Sequence, residues 1–579
     1  MIYEQRYQNW LNNDYIKEED KQELRNIADD PKEMEDRFYK TLEFGTAGLR
    51  GIMGVGTNRM NTYNVDLTTQ ALANYIIKWG KKAMESGVVI GYDSRNNSAL
   101  FAQSAAEVLA GNHIKVYLFD SVRTVPQVSF SIRHLKCMAG IVITASHNPT
   151  EYNGYKVYWE EGYQIPPKAA SYISEEMNNV VDFSNIRKMD RDEAIKAGYL
   201  EIAGKEIDHA YQQEILKGIT RKKLIEEHQK DLTIVYSPLH GSGSVPVMRA
   251  LEEAGFTEVF VVEEQKEPDG NFPTVKAPNP EDPGVFEIAR EYGEKHGADL
   301  LLATDPDGDR LGVMYCSEEG QYVNLTGNEI GILLVEYLLE TRKENGTLTD
   351  KGVIIKSVVS TELVEKIAAD YGVEIVNTLT GFKYIGELME TYQRTKLKDY
   401  ILGFEESYGY LPGTHCRDKD AVMTSIVLSE MALYYKSQHK SFGQKLEEIY
   451  QKYGYAVDHI VSKEMSGKEG AEKINKIVDY FRRSMPMEWI GSRVKVIEDY
   501  QLQRVNVVGE GVEKTVLPQA NVIKVYLSDQ SWFCIRPSGT EPKIKIYFSM
   551  TGKDKKEALT KRDQIVEEIN QTIETIISE

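Results

Sequence analysis

Asp305-Pro306-Asp307-Gly308-Asp309-Arg310 places three carboxylates at every second position, directly after the apolar run Leu300–Thr304. Such acids point oxygens at one spot only if something positive sits there, and an all-oxygen donor set suits a hard cation such as Mg²⁺. The alternative of a calcium-binding EF-hand fails, because its obligatory glycine and glutamate positions are Arg310 and Cys316. A second apolar run, Gly140–Ile143, leads into Thr144-Ala145-Ser146-His147-Asn148-Pro149. A hydroxyl at a strand end followed by an Asn-Pro turn reads either as a plain turn or as a serine held for nucleophilic or phosphoryl chemistry. No G-x-S-x-G elbow surrounds Ser146, so a serine hydrolase finds little support.

Two further loops carry polar ligands. Gly403-Phe404-Glu405-Glu406-Ser407-Tyr408-Gly409 offers carboxylates and a hydroxyl of the kind that hydrogen-bond to sugar hydroxyls. Arg536-Pro537-Ser538-Gly539-Thr540-Glu541-Pro542 combines a guanidinium, two hydroxyls and a glycine, a plausible phosphate cradle. Each is weak alone; a solvated acidic loop and a hairpin turn are equally good readings.

The surrounding pattern is an alternation of helices and short, continuously apolar strands, the mark of parallel sheets covered on both faces. It runs through 64–149, restarts at 231–310 and restarts again at 352–407. It predicts an α/β fold: three related α/β domains with mainly parallel mixed sheets, then a C-terminal α+β domain with a mainly antiparallel sheet. The boundaries fall at 1–207, 208–319, 320–454 and 455–579. No residue-level repeat is visible, so any duplication is one of architecture. The acidic, proline-rich stretch 263–284 is too long for a tight turn and reads as a structured functional loop or a mobile insert.

Composition narrows the function classes. A net charge of −20 argues against nucleic acid or an anionic membrane surface as the main partner. Four cysteines without a CxxC pair suggest neither a disulfide framework nor a zinc site. No apolar run approaches the roughly 18 residues of a membrane span, and the start MIYEQRYQNW has no signal-peptide pattern. A reduced, soluble, cytoplasmic protein is expected.

Together the four loops resemble, in order and over nearly the whole chain, the α-D-phosphohexomutase superfamily of phosphoglucomutases and phosphomannomutases. TGFKYI at 380–385 and the length are most similar to the long bacterial α-phosphoglucomutases and their phosphopentomutase relatives. The resemblance implies four domains around a central cleft and a monomer or weak homo-oligomer acting on small sugar phosphates. Ser146 would be the phosphoserine and, with Asp305, Asp307 and Asp309, would bind one Mg²⁺. Lys156, Arg50 and Arg310 would assist transfer, and Glu405 and Ser407 would hold sugar hydroxyls. Lys356, Lys383 and Lys419 would contact substrate, while Arg536, Ser538, Gly539 and Thr540 would grip the phosphate not being transferred.

The implied reaction interconverts glucose 1-phosphate and glucose 6-phosphate through glucose 1,6-bisphosphate, which also serves as activator. Phe404 and Lys383 depart from the pattern of many members, both in the sugar region, and mannose or ribose 1-phosphate are the alternatives. Because the protein is acidic, the basic residues, Arg417 and Lys543 among them, would have to converge on the cleft. Lys156 is expected either as a plain charge or as a proton carrier with a depressed pKa. The rivals are a phosphatase with Asp305 as nucleophile and a non-catalytic sugar-phosphate sensor.

Overall fold

The computed structural model describes residues 2–45, 48–179, 183–465, 467–538 and 543–578. They form two compact units, one of residues 1–327 with 385–441, the other of residues 328–384 with 442–579.

The first unit opens with three helices, Ile2–Leu11, Glu18–Asn26 and Pro31–Phe38, whose Tyr7, Trp10 and Phe38 join Tyr63 in an aromatic cluster. A six-stranded sheet follows, built from β1 (Leu49–Ile52), β2 (Val88–Tyr92), β3 (Val116–Phe119), β4 (Ala139–Ile143), β5 (Tyr152–Trp159) and β6 (Leu200–Ala203) in the order β1-β5-β4-β2-β3-β6. The β4–β2–β3–β6 run is parallel, and β5 pairs antiparallel with β4 and β1. Val88, Ile90, Ile141 and Ile143 are fully buried, as expected of central strands with helices on both faces.

A second sheet uses β7 (Ile234–Ser237), β8 (Val259–Val261), β9 (Leu300–Thr304), β10 (Leu311–Cys316) and β11 (Tyr322–Asn324) in the order β11-β10-β9-β7-β8. Its plan repeats that of the first sheet. A buried strand parallel to its neighbour on one side (β4, β9) turns back into an antiparallel strand on the other (β5, β10). The two loops expected to carry chemistry are the connections made at these turns. The unit also contains the antiparallel hairpin Asp399–Glu405 with Gly409–Leu411, and the helix Ala421–Ser437 capped by Asp420.

In the second unit, Gly352–Ser357 and Glu374–Thr378 pair in parallel. The third α/β segment is therefore shared, its parallel pair in this unit and its hairpin in the other. The remainder of the unit is an antiparallel sheet of eight strands beginning at Tyr455–Glu464 and ending at Lys543–Gly552. The helices Gly467–Arg483 and Lys555–Ser578 bury Ile477, Phe481, Ile565 and Ile569 in the same core as its strands. The overall class is the expected one: α/β segments with mixed sheets and an antiparallel α+β C-terminal part. No described helix is long and apolar enough to cross a membrane.

Candidate active site

Thr144-Ala145-Ser146 leaves β4 at its carboxyl end, and Asp305-Pro306-Asp307 leaves β9 at its own. In an open parallel sheet such ends collect ligands. The two loops meet: Ser146 Oγ donates to Asp305 Oδ2 at 2.7 Å. Ser146 has φ 53°, a left-handed conformation that a non-glycine residue holds only when its surroundings enforce it. Here the enforcement is visible. Arg95 Nη2 donates to the carbonyls of Ser146 (2.5 Å) and Asn148, and Arg95 Nη1 to those of Pro149 (2.8 Å) and Tyr152 (3.1 Å). Arg95 is buried beside Asp93, whose Oδ2 accepts from Thr144 Oγ1 at 2.6 Å. Thr144 Oγ1 in turn accepts from Ser146 N at 2.8 Å and lies 3.1 Å from Asp307 Oδ2.

The carboxylates of Asp305, Asp307 and Asp309 are at most 2% exposed, and one oxygen of each lies within 4.8 Å of the others. Asp307 Oδ1 and Asp309 Oδ1 are buried without a hydrogen-bond partner among the described residues. Orphaned buried carboxylate oxygens are costly unless a cation satisfies them, so the donor set fits a hard divalent ion. The loop is pinned from the first α/β segment, since Val125 N, at the start of the helix Val125–Leu135, donates to the Asp307 carbonyl at 2.8 Å. Gly308 (φ 65°) passes so close to Thr124 that a Cβ there would lie 2.5 Å from the Thr124 methyl, which excludes larger residues.

Cations ring the triad. Lys156, carried back along β5, places Nζ 2.8 Å from Asp307 Oδ2 and 3.6 Å from Asp309 Oδ2. Lys419 Nζ lies 3.1 Å from Asp309 Oδ2 and 3.3 Å from Asp418 Oδ1. Arg310 pairs with Glu281. Burial and the neighbouring Asp307 and Asp309 push Asp305 well above the usual carboxylate range, whereas Lys156 holds Asp307 below it in spite of burial. Of the two readings of Lys156, its surroundings favour the plain charge. Burial favours the neutral amine, but Asp307 and Asp309 outweigh it, and the pKa is raised. The depressed lysine is Lys356, fully buried in the second unit, where burial and then Lys524 push it down.

Glu405, 5% exposed, ends its strand opposite Gly409, and its charge helps hold Lys419 protonated. Phe404 is fully buried and Ser407 half-buried. Arg50 Nη1 donates to Asn148 Oδ1 at 3.0 Å, on the serine loop. Thus Ser146, Lys156, Arg50, Arg310, Lys419 and the triad fall in one neighbourhood of the first unit. Arg417 does not belong with the cleft cations. It is fully buried and bonds Glu390, Gln393 and the Thr414 and Cys416 carbonyls, as a structural clamp.

In the second unit Lys356 Nζ lies 3.4 Å from Glu365 and 3.5 Å from the Ser360 carbonyl. Lys383 Nζ sits 5.0 Å from the Tyr384 ring centre. Arg536 Nη1 donates to Tyr547 Oη at 3.3 Å, Ser538 N donates to the Lys543 carbonyl at 2.7 Å, and Lys543 Nζ lies 3.8 Å from Glu464. Gly539 and Thr540 lie outside the described residues. Sequence reasoning passed over Asp93, Arg95 and Thr144. The one signal for the first two was their place at the carboxyl end of β2, as GYDSR.

Four family models, described as phosphoglucomutase/phosphomannomutase domains I, II, III and the C-terminal domain, match residues 41–182, 209–317, 326–453 and 492–568. A Staphylococcus saprophyticus protein named phosphoglucomutase is 37% identical over 514 residues, 89% of this chain and 91% of its own length. A phosphoglucomutase of Staphylococcus aureus is 38% identical over 523 residues, 90% of this chain and 91% of its own. Among solved structures, a putative phosphomannomutase from Thermus thermophilus superposes with a TM-score of 0.67 at 21% identity, over 92% of this chain and 99% of that one. The open form of parafusin, a phosphoglucomutase from Paramecium, gives 0.65 at 18% identity, over 93% of this chain and 96% of that one. With all four models matched in order and such relatives along nine-tenths of its length, the chain belongs to the phosphoglucomutase/phosphomannomutase family.

Proposed function

We propose that this chain is a phosphoglucomutase that interconverts α-D-glucose 1-phosphate and glucose 6-phosphate through a phosphorylated Ser146. The observation that carries this reading is the 2.7 Å contact between Ser146 Oγ and Asp305, inside a triad with two unsatisfied buried oxygens. A nucleophilic hydroxyl bonded to a cation-seeking carboxylate cluster is arranged for phosphoryl transfer, where positioning and charge stabilisation supply most of the catalysis.

In the forward direction the phosphorus–Oγ bond of phospho-Ser146 breaks, a bond to O6 of glucose 1-phosphate forms, and the O6 proton ends on Ser146 Oγ. The resulting glucose 1,6-bisphosphate then presents its other phosphate. The phosphorus–O1 bond breaks, the bond to Ser146 Oγ re-forms, and the Oγ proton passes to O1, releasing glucose 6-phosphate. Asp305, Asp307 and Asp309 would hold one Mg²⁺, which when bound neutralises charge on the phosphoryl oxygens. Lys156, Lys419 and Arg310 add fixed positive charge beside the triad, which lets an acidic protein accept a dianionic substrate. Arg95 and Thr144 hold Ser146 in its left-handed backbone conformation, aimed at the triad. Glu405 and Ser407 would receive sugar hydroxyls, Lys356 and Lys383 would contact substrate, and Arg536, Ser538, Gly539 and Thr540 would hold the phosphate not being transferred.

On this reading the functional domains divide near residues 207, 319 and 454, and the enzyme works in the cytoplasm as a monomer or weak homo-oligomer. Incubation with glucose 1,6-bisphosphate and mass spectrometry of the trapped protein should find phosphate on Ser146; phosphate on Asp305 would make it a phosphatase-type enzyme instead. A panel of glucose, mannose, glucosamine and ribose 1-phosphates with catalytic bisphosphate should show the highest kcat/KM for glucose 1-phosphate.

A further inference from the structure

The acidic stretch 263–284 is an ordered strap tied down at three places, all within the first unit. Near its start Gln265 is fully buried. Its Oε1 accepts from Ser237 Oγ at 2.6 Å, its Nε2 donates to Thr274 Oγ1 at 2.9 Å, and its carbonyl accepts from His240 N at 2.8 Å. His240 Nε2 closes the ring, 2.9 Å from the same Thr274 hydroxyl. In the middle, the Gly270 carbonyl accepts from Thr150 Oγ1 at 2.5 Å, on the loop that carries Ser146. A Cβ at 270 would fall 2.3 Å from Asn96 N, so the strap lies directly on the residue after Arg95. Asn96 Nδ2 donates to Asn271 Oδ1 at 3.0 Å, and the buried Phe272 ring lies 5.1 Å from the Arg95 guanidinium. At its far end, Glu281 accepts from Arg310 Nη1.

One segment therefore touches both partners of the transfer step: the serine loop through Gly270, its Arg95 support through Phe272, and the residue after Asp309 through Glu281. We propose that this strap fixes Arg310 relative to Ser146, with Glu281 as the positioning residue that acts through Arg310. A guanidinium is a planar fork, so a carboxylate on Nη1 sets the plane of the remaining donors. Arg310 Nε is buried without a hydrogen-bond partner among the described residues, a donor whose direction Glu281 thereby determines. Glu281 touches no reacting atom. Its effect is to stop Arg310 from collapsing onto Asp305 or Asp309, which would neutralise the triad instead of the phosphoryl group.

This inference rests on the phosphoryl-transfer reading above, and the experiment separates the two. The full-length enzyme and the variants E281Q, R310K and E281Q/R310K are compared by steady-state kinetics with glucose 1-phosphate and by the single-turnover rate of Ser146 phosphorylation from glucose 1,6-bisphosphate. Thermal melting is recorded for each. E281Q should lower kcat and the phosphorylation rate about 10- to 100-fold, with KM within about threefold. In the R310K background the same substitution should change either rate by less than about twofold, since the residue it acts through is already altered. G270A, which lifts the strap from Asn96 without touching Glu281, should also lower kcat. The proposal is overturned if E281Q keeps wild-type rates, or if it costs the same factor in both backgrounds. A wild-type enzyme with no turnover of any sugar phosphate would defeat the underlying reading instead.

Discussion

Ser146 Oγ and Asp305 Oδ2 are joined by a 2.7 Å hydrogen bond across 159 residues of chain. The contact unites the turn after β4 with the turn after β9, and each turn is held by its own scaffold: Arg95 beneath one, Val125 N against the other. The site is thus assembled from two copies of one structural device, each supplying half of the chemistry.

Asp307→Asn should sharply weaken divalent-ion binding, because Asp307 Oδ1 is one of the two buried oxygens with no hydrogen-bond partner. Turnover should fall about 10²- to 10³-fold. Calorimetric titration with Mg²⁺ reads the first effect and steady-state assay the second. Chelation of the wild-type enzyme should abolish activity and Mg²⁺ should restore it; full activity after exhaustive chelation would refute the metal assignment.

Lys156→Met should expose the repulsion that Lys156 now offsets. Its ammonium is 2.8 Å from Asp307 and 3.6 Å from Asp309 with little access to water. Removing one member of a buried ion pair costs about 3–5 kcal/mol. Urea unfolding in chelator should show a loss of that order, and Mg²⁺ should return part of it. Equal loss with and without the ion would show that the two cations do not share the same carboxylates.

Arg95→Lys keeps a positive charge beside Asp93 but cannot span the four carbonyls that Arg95 holds. The Ser146 backbone should relax from its left-handed conformation, and kcat should fall roughly tenfold or more with little change in KM. In Arg95→Ala, added guanidinium should restore part of the rate, a rescue that general loss of stability would not give.

In the second unit Asp458 supplies a pH signature independent of the metal site. Burial, with Glu329 and Glu362 nearby, pushes its carboxyl up from 3.8 to about 6, against the Ser549 and Thr361 hydroxyls, which lower it. Between those values the folded state binds a proton that the unfolded state has released. Stability from this group is therefore lost as pH rises from about 4 to about 6, by at most about 3 kcal/mol. Asp458→Asn should be more stable than wild type at pH 7.5 and equal to it at pH 4 in urea melts. A constant difference across that range would contradict the assignment.

The strand-and-loop plan and the triad were legible because each is local: an apolar run that ends in Asp305 or Ser146 declares both its burial and its exit. What escaped the sequence was lateral. Asp93, Arg95 and Thr144 are ordinary residues singly, and only the pairing of β2 with β4 makes them a cradle for Ser146. Arg417 reads from the sequence as one of the cations an acidic protein must gather in its cleft, yet Glu390 draws it into the interior. The raised pKa of Lys156 and the lowered one of Lys356 were not legible, because a lysine follows the charges around it and sequence does not show which acids lie within reach.

The interleaved course of the chain has a bearing on biosynthesis. The polypeptide leaves the first unit after Gly327, returns after Tyr384 and departs again after Ser441. The helix Ala421–Ser437 packs on Ser244–Ala254, so that face of the earlier helix stays bare while the ribosome adds more than a hundred further residues. Neither unit can finish as an autonomous nascent domain, and truncations ending near residue 320 should leave translated but sticky intermediates that depend on chaperones.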